Sequence, residues 1–376
     1  MSDCKKCGTI PGTILLRQKD LYCTNCFLAN VNHKFRACIG KNRILSHKKQ
    51  IENVLICLSG GPGSAVMSDL VCNAVTLNNH KKLGLTPIFF HIISSSDDMN
   101  VARSIITACN KKKHDIYLCH ISEYLLAKKN KPIMNDIPII NKEADTKFRN
   151  LLNDMSSSTK NDYLIKIKRE LFIWYAKELL CNIIFTAETS STLAVNLISN
   201  LSLGRGSQVQ HDIGFCDSRN DIKILRPLKE ITFEELQHYI NINKLELLKE
   251  KAVHGNSLQS VIKLFVHDLQ DNYQSTISTI CKTAEKIGIQ DDNNHTNKCS
   301  MCESCLSDTE YNLSALEATN YSRTVSIDQE KAKCLNNPID QHSMFPHVKK
   351  YLCYTCSKNY LEIDPATLPV HFKHLT

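Results

Sequence analysis

The chain has 376 residues, of which 42% are hydrophobic and 22% are charged, a balance typical of globular rather than disordered proteins. No apolar run approaches the roughly 18 residues that cross a bilayer, and the first residues form no apolar signal core. We therefore expect a cytoplasmic protein rather than a membrane or secreted one. The net charge of +8 is modest and unevenly placed.

Cysteine is unusually frequent and unusually spaced. Five pairs of the 18 cysteines stand at C-x-x-C spacing, where chance predicts about one. Cytosolic thiols are kept reduced, so this excess indicates metal or redox chemistry rather than disulfides. The cysteines outside these pairs are predicted to be small core residues, and they are Cys38, Cys57, Cys72, Cys109, Cys119, Cys181, Cys216 and Cys281.

The first cysteine motif opens the chain. Its four members are Cys4, Cys7, Cys23 and Cys26, spaced C-x2-C-x15-C-x2-C. This spacing lets two tight turns bring four thiolates to one tetrahedral zinc ion. It predicts a zinc site in an N-terminal module over residues 1–50.

A basic segment follows this motif. Residues 27–51 contain no Asp or Glu but several Lys and Arg side chains, and the predicted tRNA-binding residues among them are Lys34, Arg36, Lys41 and Arg43. Such a segment favours a polyanionic partner. The alternative is a basic helix face that only meets water.

The central zone, residues 51–290, alternates apolar runs with helical stretches and predicts a doubly wound parallel sheet. Strands are predicted at 54–58, 87–93, 116–119 and 182–186. Helices are predicted at 64–81, 101–109, 163–180 and 190–203. Residues 128–158 are predicted to be an irregular insertion. The apolar stripe from Leu258 to Ile280 is predicted to pack into the core.

A Gly-rich turn joins the first of these strands to a helix. Its residues Ser59, Gly60, Gly61, Gly63 and Ser64 are predicted to bind a nucleotide, because glycines admit a phosphate near a helix N-terminus. The turn lacks the Lys of a Walker loop. It resembles the S-G-G-x-D-S pyrophosphate loop of the ATP-pyrophosphatase (PP-loop) superfamily, with Gly63 where that signature has Asp. A vestigial turn is the alternative, and ATP binding stays open.

The C-terminal zone, residues 291–376, follows a polar linker and is predicted to hold a second zinc site. Its ligands are predicted to be Cys299, Cys302, Cys353 and Cys356. Cys305 and Cys334 are spare thiols, either of which could replace one ligand. The expected architecture is therefore a PP-loop α/β domain flanked by two zinc-ribbon-like modules.

In addition, the chain resembles the cytoplasmic tRNA 2-thiolation protein 2 family over most of its length. The matching segments keep the family's order, and they are Cys23–Phe27, His33–Arg36, Gly40–Arg43, Leu58–Pro62, Ala194–Asn200, Leu203–Gly206, Asp212–Phe215, Arg226–Leu228, Glu234–Glu235, Leu269–Gln270, Ser275–Thr279 and Leu352–Cys356. So many matching segments in the same order are improbable by chance.

The resemblance implies the second subunit of a heterodimer with a catalytic first subunit. That complex forms 5-methoxycarbonylmethyl-2-thiouridine at the wobble position of cytosolic tRNAs for Lys, Glu and Gln. Its sulfur comes from a thiocarboxylated ubiquitin-related modifier. This chain lacks the loop Asp, so the resemblance predicts no catalytic residue here and a supporting role, with Arg205 joining the basic segment on tRNA.

Two other functions fit the same residues. One is a zinc-ribbon RNA-binding scaffold built on an inactive nucleotide fold. The other is a self-sufficient ATP-dependent tRNA sulfurtransferase, in which a C-terminal cysteine reaches the Gly-rich loop. ATP binding distinguishes the scaffold, and activity without a partner distinguishes the lone enzyme.

Overall fold

A computed structural model describes residues 3–41, 51–77, 82–95, 98–206, 209–247, 255–287, 297–306 and 351–363, together with Thr319. The strands are β1 (Ile14–Leu16), β2 (Asp20–Tyr22), β3 (Glu52–Cys57), β4 (Leu85–Ile93), β5 (Ile116–His120), β6 (Ile133–Met134), β7 (Ile183–Phe185), β8 (Cys216–Asp217) and β9 (Lys223–Leu225). No helix in the described ranges is both long and apolar enough to cross a bilayer.

The helices complete the chain order. They are α1 (Thr24–Lys41), α2 (Pro62–Thr76), α3 (Asp98–Lys111), α4 (Lys142–Asn153), α5 (Ser157–Glu178), α6 (Ser190–Ser202), α7 (Val209–Ile213), α8 (Phe233–Asn243), α9 (Leu258–Asn272), α10 (Thr276–Ile287) and α11 (Tyr354–Tyr360). Several begin where the sequence offers a side-chain cap. Ser156 accepts from the Thr159 amide at α5, and Thr232 forms a capping box with Glu235 at α8.

A mostly parallel sheet forms the centre of the protein, in the order β6-β5-β4-β3-β7-β9-β8. The five middle strands run parallel, while β6 and β8 pair antiparallel at the two edges. Val54 of β3 stands opposite Pro87 of β4 and Ile183 of β7. The chain therefore moves outward from β3 in both directions, which places a topological switch point between β3 and β7.

Both faces of this sheet are covered, which explains the continuous apolar run of β3. Val54 and Ile56 face one hydrophobic cluster, and Leu55 and Cys57 face another. The first cluster also contains buried side chains of α1, α2 and α8. The second contains side chains of α4 and α5, together with the C-terminal cysteines. The predicted doubly wound α/β fold is confirmed.

Three local expectations were wrong. The predicted irregular insertion contains α4, whose buried Ala144, Phe148, Leu151 and Leu152 follow helical spacing. Residues 24–41, part of an N-terminal zone expected to have little apolar periodicity, form α1, and its Phe27, Val31 and Phe35 are buried at helical spacing. The apolar stripe from Leu258 to Ile280, which was predicted to pack into the core, is partly exposed to solvent. Phe265 is 53% exposed, and only Ile262 and Val266 of α9 are buried.

The proposed three-part division at 50 and 290 stays a prediction. Across the first boundary, Phe27 and Phe35 of α1 share a hydrophobic cluster with β3. Across the second, Cys356 and Tyr360 share a cluster with α5. Both terminal cysteine regions thus pack directly on the layers of the α/β sheet.

Candidate functional site: two four-cysteine groups and a loop at the switch point

The N-terminal cysteines converge as predicted. The Sγ atoms of Cys4, Cys7, Cys23 and Cys26 lie within 4.8 Å of one another, on either side of the β1–β2 hairpin. A turn with Gly8 at a φ of +63° follows the first pair, and the Gly8 amide donates to the Cys4 carbonyl. The Thr9 backbone N–H lowers the pKa of the Cys7 thiol to about 6, whereas the neighbouring Cys23 side chain and burial raise the pKa of Cys26 to about 12.

The C-terminal cysteines form a second group with the same compactness. The Sγ atoms of Cys299, Cys302, Cys353 and Cys356 also lie within 4.8 Å of one another, and all four residues are buried. Cys305 is outside this group, and Cys334 lies outside the described residues. The structure therefore brings together the two predicted sets of four cysteines.

The spacing of the sulfur atoms fits a single tetrahedral ion. A tetrahedron with metal–sulfur bonds of about 2.3 Å has sulfur–sulfur edges of about 3.8 Å. The Cys7–Cys23 and Cys302–Cys353 sulfur distances are 4.0 and 3.6 Å. A cubane iron–sulfur cluster would hold its thiolates farther apart, because each binds a different iron. Both groups could hold one metal ion each.

Positive charge surrounds the C-terminal group. The Lys166 ammonium donates to Cys356 Sγ at 3.1 Å and to Asp162 at 2.8 Å. Asp162 in turn accepts from Arg205 and from Asn359 of α11. Burial alone would raise the pKa of Asp162, but Lys166 and Arg205 hold that pKa well below its usual range. These cations suit the negative charge of a tetrathiolate metal site.

The Gly-rich loop follows β3 and leads into α2, as predicted, and the strand order places it at the switch point. Gly60 takes the positive φ of 78° that favours glycine, and Pro62 begins α2. The Ser64 hydroxyl donates to the Gly61 carbonyl at 2.8 Å, and the Gly61 amide donates to Ser59 Oγ. Gly60 and Ser64 also line a cavity of about 260 Å³.

Gly63 is in contact with the segment that follows β7. A Cβ added to it would lie 2.6 Å from the carbonyl oxygen of Ala187. This position therefore has no space for any side chain, including the Asp of the PP-loop signature. The loop and the β7 end are packed together at the place where the signature requires a carboxylate.

The predicted basic residues lie in different surroundings. The Lys34 ammonium, on α1, contacts both carboxylate oxygens of Glu235 at 2.6 and 2.8 Å. Lys41 is exposed at the end of α1, and Arg36 is half-buried on the same helix. Arg43 lies outside the described residues.

Arg205 is placed inside the protein rather than on its surface. It is 6% exposed, and its two terminal nitrogens donate to Asp162 at 2.5 and 2.6 Å. Its neighbour Gly204 has a φ of +87°, and a Cβ added there would lie 3.0 Å from the ring of Tyr354 on α11. The Leu203–Gly206 segment thus connects α6 to the C-terminal cysteine region.

A large cavity, which sequence reasoning missed, lies between the sheet and the C-terminal cysteines. Its volume is about 490 Å³, and its walls include Thr186 and Glu188 after β7, Arg226 after β9, and Cys302. Ligands of open parallel sheets bind at the carboxyl ends of such strands. No local motif marks this cavity, because α5, α6, α9 and residues 300–303 all contribute to it.

Comparisons with known proteins agree with this architecture. A family profile described as "Cytoplasmic tRNA 2-thiolation protein 2" matches residues 257–358. The chain is 30% identical to the protein of that name from Drosophila willistoni, over 94% of this chain and 90% of the relative. It is 31% identical to the Drosophila melanogaster protein, over 86% and 81%.

The fold also has a solved counterpart. The U34-tRNA thiolase NcsA from Methanococcus maripaludis, solved with its iron–sulfur cluster, has a TM-score of 0.58 to this chain. The match covers 81% of this chain and 92% of NcsA at 17% identity, so it shows a shared fold alone. Given the near full-length identity to the insect proteins, this chain belongs to the cytoplasmic tRNA 2-thiolation protein 2 family.

Proposed function

We propose that this chain is a non-catalytic subunit of a heterodimer that 2-thiolates the wobble uridine of cytosolic tRNAs for Lys, Glu and Gln. Its partner is the catalytic first subunit, and the sulfur donor is a thiocarboxylated ubiquitin-related modifier. The observation that carries the non-catalytic role is the lack of space at Gly63, where an added Cβ would lie 2.6 Å from the Ala187 carbonyl oxygen. A loop without the carboxylate, and without space for one, is poorly suited to PP-loop chemistry.

Reconstitution tests this role. The purified chain, the first subunit, and both together are each given ATP, tRNA and the thiocarboxylated donor, and the tRNA nucleosides are analysed by mass spectrometry. We expect 2-thiouridine only where the first subunit is present, with more product when both are present. Product from this chain alone would overturn the proposal in favour of a self-sufficient sulfurtransferase.

We further propose that zinc occupies both four-cysteine groups. All eight ligands are thiolates, the sulfur distances suit a tetrahedral ion, and zinc prefers this donor set in structural sites. Neither site has an open position for a reactant, so the metal would hold the fold rather than take part in catalysis. Metal analysis of the purified chain is expected to give two zinc ions per chain.

The proposed contact with the first subunit uses α9. Val261, Leu264 and Phe265 are each more than half exposed, and their spacing places them on one face of the helix. An apolar helix face of this kind is typical of protein–protein interfaces. Phe265→Asp should abolish co-purification with the first subunit, while Lys282→Asp, at an exposed site on α10, should not. Unchanged co-purification of the Phe265 variant would contradict this contact.

The proposed tRNA-binding residues stand on α1 and in the sequence that follows it. Its candidates are Lys41, which is exposed at the end of α1, and Arg43, since Lys34 is held by Glu235 and Arg205 by Asp162. Phosphate contacts release counterions and so make binding salt-dependent. Replacing Lys41 and Arg43 with Ala should weaken tRNA binding by the heterodimer and flatten its salt dependence. An unchanged salt slope would leave this helix as ordinary solvated surface.

A further inference from the structure

A loop of residues 126–132, the lysine loop, follows β5 and a short helical turn and leads into β6. It contains Lys128, Lys129 and Lys131. Lys128 and Lys131 are exposed, and Lys129 is half-buried. Within the part of the chain that the structure describes, none of these three lysines forms an ion pair with a carboxylate. The loop therefore carries three positive charges that the described residues do not neutralise.

A buried carboxylate holds the lysine loop through an asparagine rather than through a lysine. Glu123, which is 5% exposed, accepts the Asn130 backbone N–H at 2.8 Å and the Asn130 side-chain amide at 2.9 Å. The Lys129 ammonium lies 5.8 Å from the centroid of the Trp174 ring. An aromatic face attracts a cation but carries no net charge, so Lys129 stays able to bind an anion. The loop thus presents its lysines from a backbone that is fixed by hydrogen bonds.

The lysine loop lies at the carboxyl edge of the central sheet. β5 ends at His120, and β6 begins at Ile133, which stands opposite Leu118 of β5. Both ends of this connection therefore emerge where β5 ends. Because β3, β4 and β5 are parallel, the Gly-rich loop after β3 lies at the same edge. Ligands of open parallel sheets bind at this edge.

The end of α1 lies farther along the same edge. Cys38, nearly one turn before Lys41, donates to the carbonyl of Arg226, which directly follows β9. β5 and β9 are separated by β4, β3 and β7, a distance of about 19 Å at the usual strand spacing. The lysine loop and the end of α1 therefore lie on opposite sides of the Gly-rich loop.

A second run of lysines, Lys111–Lys113, stands just before β5 and so at the opposite edge of the sheet. Lys111 lies 3.8 Å from Glu246, and Lys112 lies 3.4 Å from Asp69. Two of these three charges thus meet carboxylates of the protein itself. The lysine loop differs because its charges are left for an external anion, and the Lys111–Lys113 run offers a charge-matched control.

We propose that the lysine loop binds the phosphate backbone of the tRNA, an inference that rests on the proposed function. Lysine is a compact point charge, and its contacts with phosphate give affinity without reading bases. A nucleic acid offers closely spaced phosphates, which Lys128, Lys129 and Lys131 can meet together. The position of the loop at the ligand-binding edge of the fold favours RNA over an acidic protein surface as the partner.

The test uses the reconstituted heterodimer with Lys128→Gln, Lys129→Gln and Lys131→Gln combined in this chain. The control combines Lys111→Gln, Lys112→Gln and Lys113→Gln, which removes the same charge from the opposite edge. The loop variant should bind tRNA more weakly, and its slope of log affinity against log salt concentration should fall by about 3, close to 1 per lysine. Because phosphate contacts carry no sequence information, the loss should be equal for tRNAs with and without a wobble uridine. The control should keep the slope of the unsubstituted heterodimer.

The other outcomes separate this inference from the proposed function. An unchanged slope in the loop variant would overturn the inference and leave the tRNA-binding role intact. An equal loss in the control would also overturn it, because net charge would then explain the effect. Failure of the loop variant to co-purify with the first subunit would assign the loop to that protein instead. If the unsubstituted heterodimer binds no tRNA, the proposed function and this inference both fail. Metal content and melting temperature check that both triple variants are folded.

Discussion

The carboxylate of Asp162 accepts hydrogen bonds from both terminal nitrogens of Arg205, and each of these residues is buried. Asp162 lies on α5 and Arg205 follows α6, while Asn359 on α11 donates to the same carboxylate at 2.5 Å. One buried charge therefore joins two helices of the α/β layer to the C-terminal cysteine region. Arg205 therefore stabilises the fold through its ion pair with Asp162.

The first prediction concerns this pair. Asp162→Ala leaves the Arg205 guanidinium buried without its anion, which should lower the free energy of unfolding by about 3–5 kcal/mol. Arg205→Lys keeps the charge but loses the two-point contact, so it should also destabilise the protein, by less. Denaturant titration measures both. Binding of tRNA by a folded Arg205→Gln protein, which lacks this charge, should keep its salt slope, and a flatter slope would return Arg205 to the RNA surface.

The two cysteine groups should differ in their importance for stability. Cys356 is fully buried in the cluster that contains α5, so Cys356→Ser should lose one metal ion and lower the melting temperature of the whole α/β domain. Cys7 is exposed, so Cys7→Ser should lose one metal ion and loosen only the β1–β2 hairpin. Metal analysis and calorimetry measure these effects. Cys305→Ser is the control and should retain both ions; loss of an ion there would show the ligand set to be wrong.

Gly63→Asp should not create an enzyme. Its Cβ would lie 2.6 Å from the Ala187 carbonyl oxygen, so the loop or the segment after β7 must move. We expect a loss of about 1–3 kcal/mol in unfolding free energy from this overpacking, and Gly63→Ala should show most of it. Nucleoside analysis of tRNA incubated with the Asp variant alone should find no 2-thiouridine. Thiolated product would refute the proposed non-catalytic role.

Removal of the Lys34 side chain and removal of the Lys41 side chain should have different effects on stability. Lys34 neutralises Glu235, whose side chain is 7% exposed, so Lys34→Ala should destabilise the protein by about 1–3 kcal/mol. Lys41 is exposed at the end of α1, and Lys41→Ala should change stability by less than about 0.5 kcal/mol. A double-mutant cycle with Glu235→Gln measures the coupling. A coupling energy of zero would mean that the Lys34–Glu235 contact contributes nothing to folding.

Lowering the pH should reduce the free energy of unfolding, in part through protonation of Asp217. Burial raises its pKa, but Arg219 and Arg169 lower that pKa well below the usual range. A pKa lower in the folded state contributes stability that is complete above the unfolded value of about 3.9 and declines as the pH falls toward the folded value. Between about pH 5 and pH 2, the free energy of unfolding should therefore fall less for the Asp217→Asn protein than for the unsubstituted protein. Parallel pH curves for the two proteins would contradict this assignment.

The sequence by itself determined the sheet and the cysteine groups. Apolar runs such as Val54–Leu58 predicted the central strands, because a strand covered on both faces needs apolar side chains throughout. The C-x-x-C spacing predicted both sets of four thiolates, since a tight turn brings its two sulfur atoms to one ion. The spacing of Phe27, Val31 and Phe35 is likewise typical of a buried helix face, and these side chains are buried in α1.

Only the tertiary structure decided which charges are free and where a ligand could enter. Lys34 meets Glu235 across 201 positions of the chain, and Arg205 meets Asp162 across 43. Local composition cannot reveal such partners, so a segment without acidic residues was predicted to be unpaired. The large cavity likewise has walls from α5, α6, α9 and residues 300–303, which lie far apart in the chain. Such features arise from long-range packing, because ion pairing and cavity shape depend on distance in space.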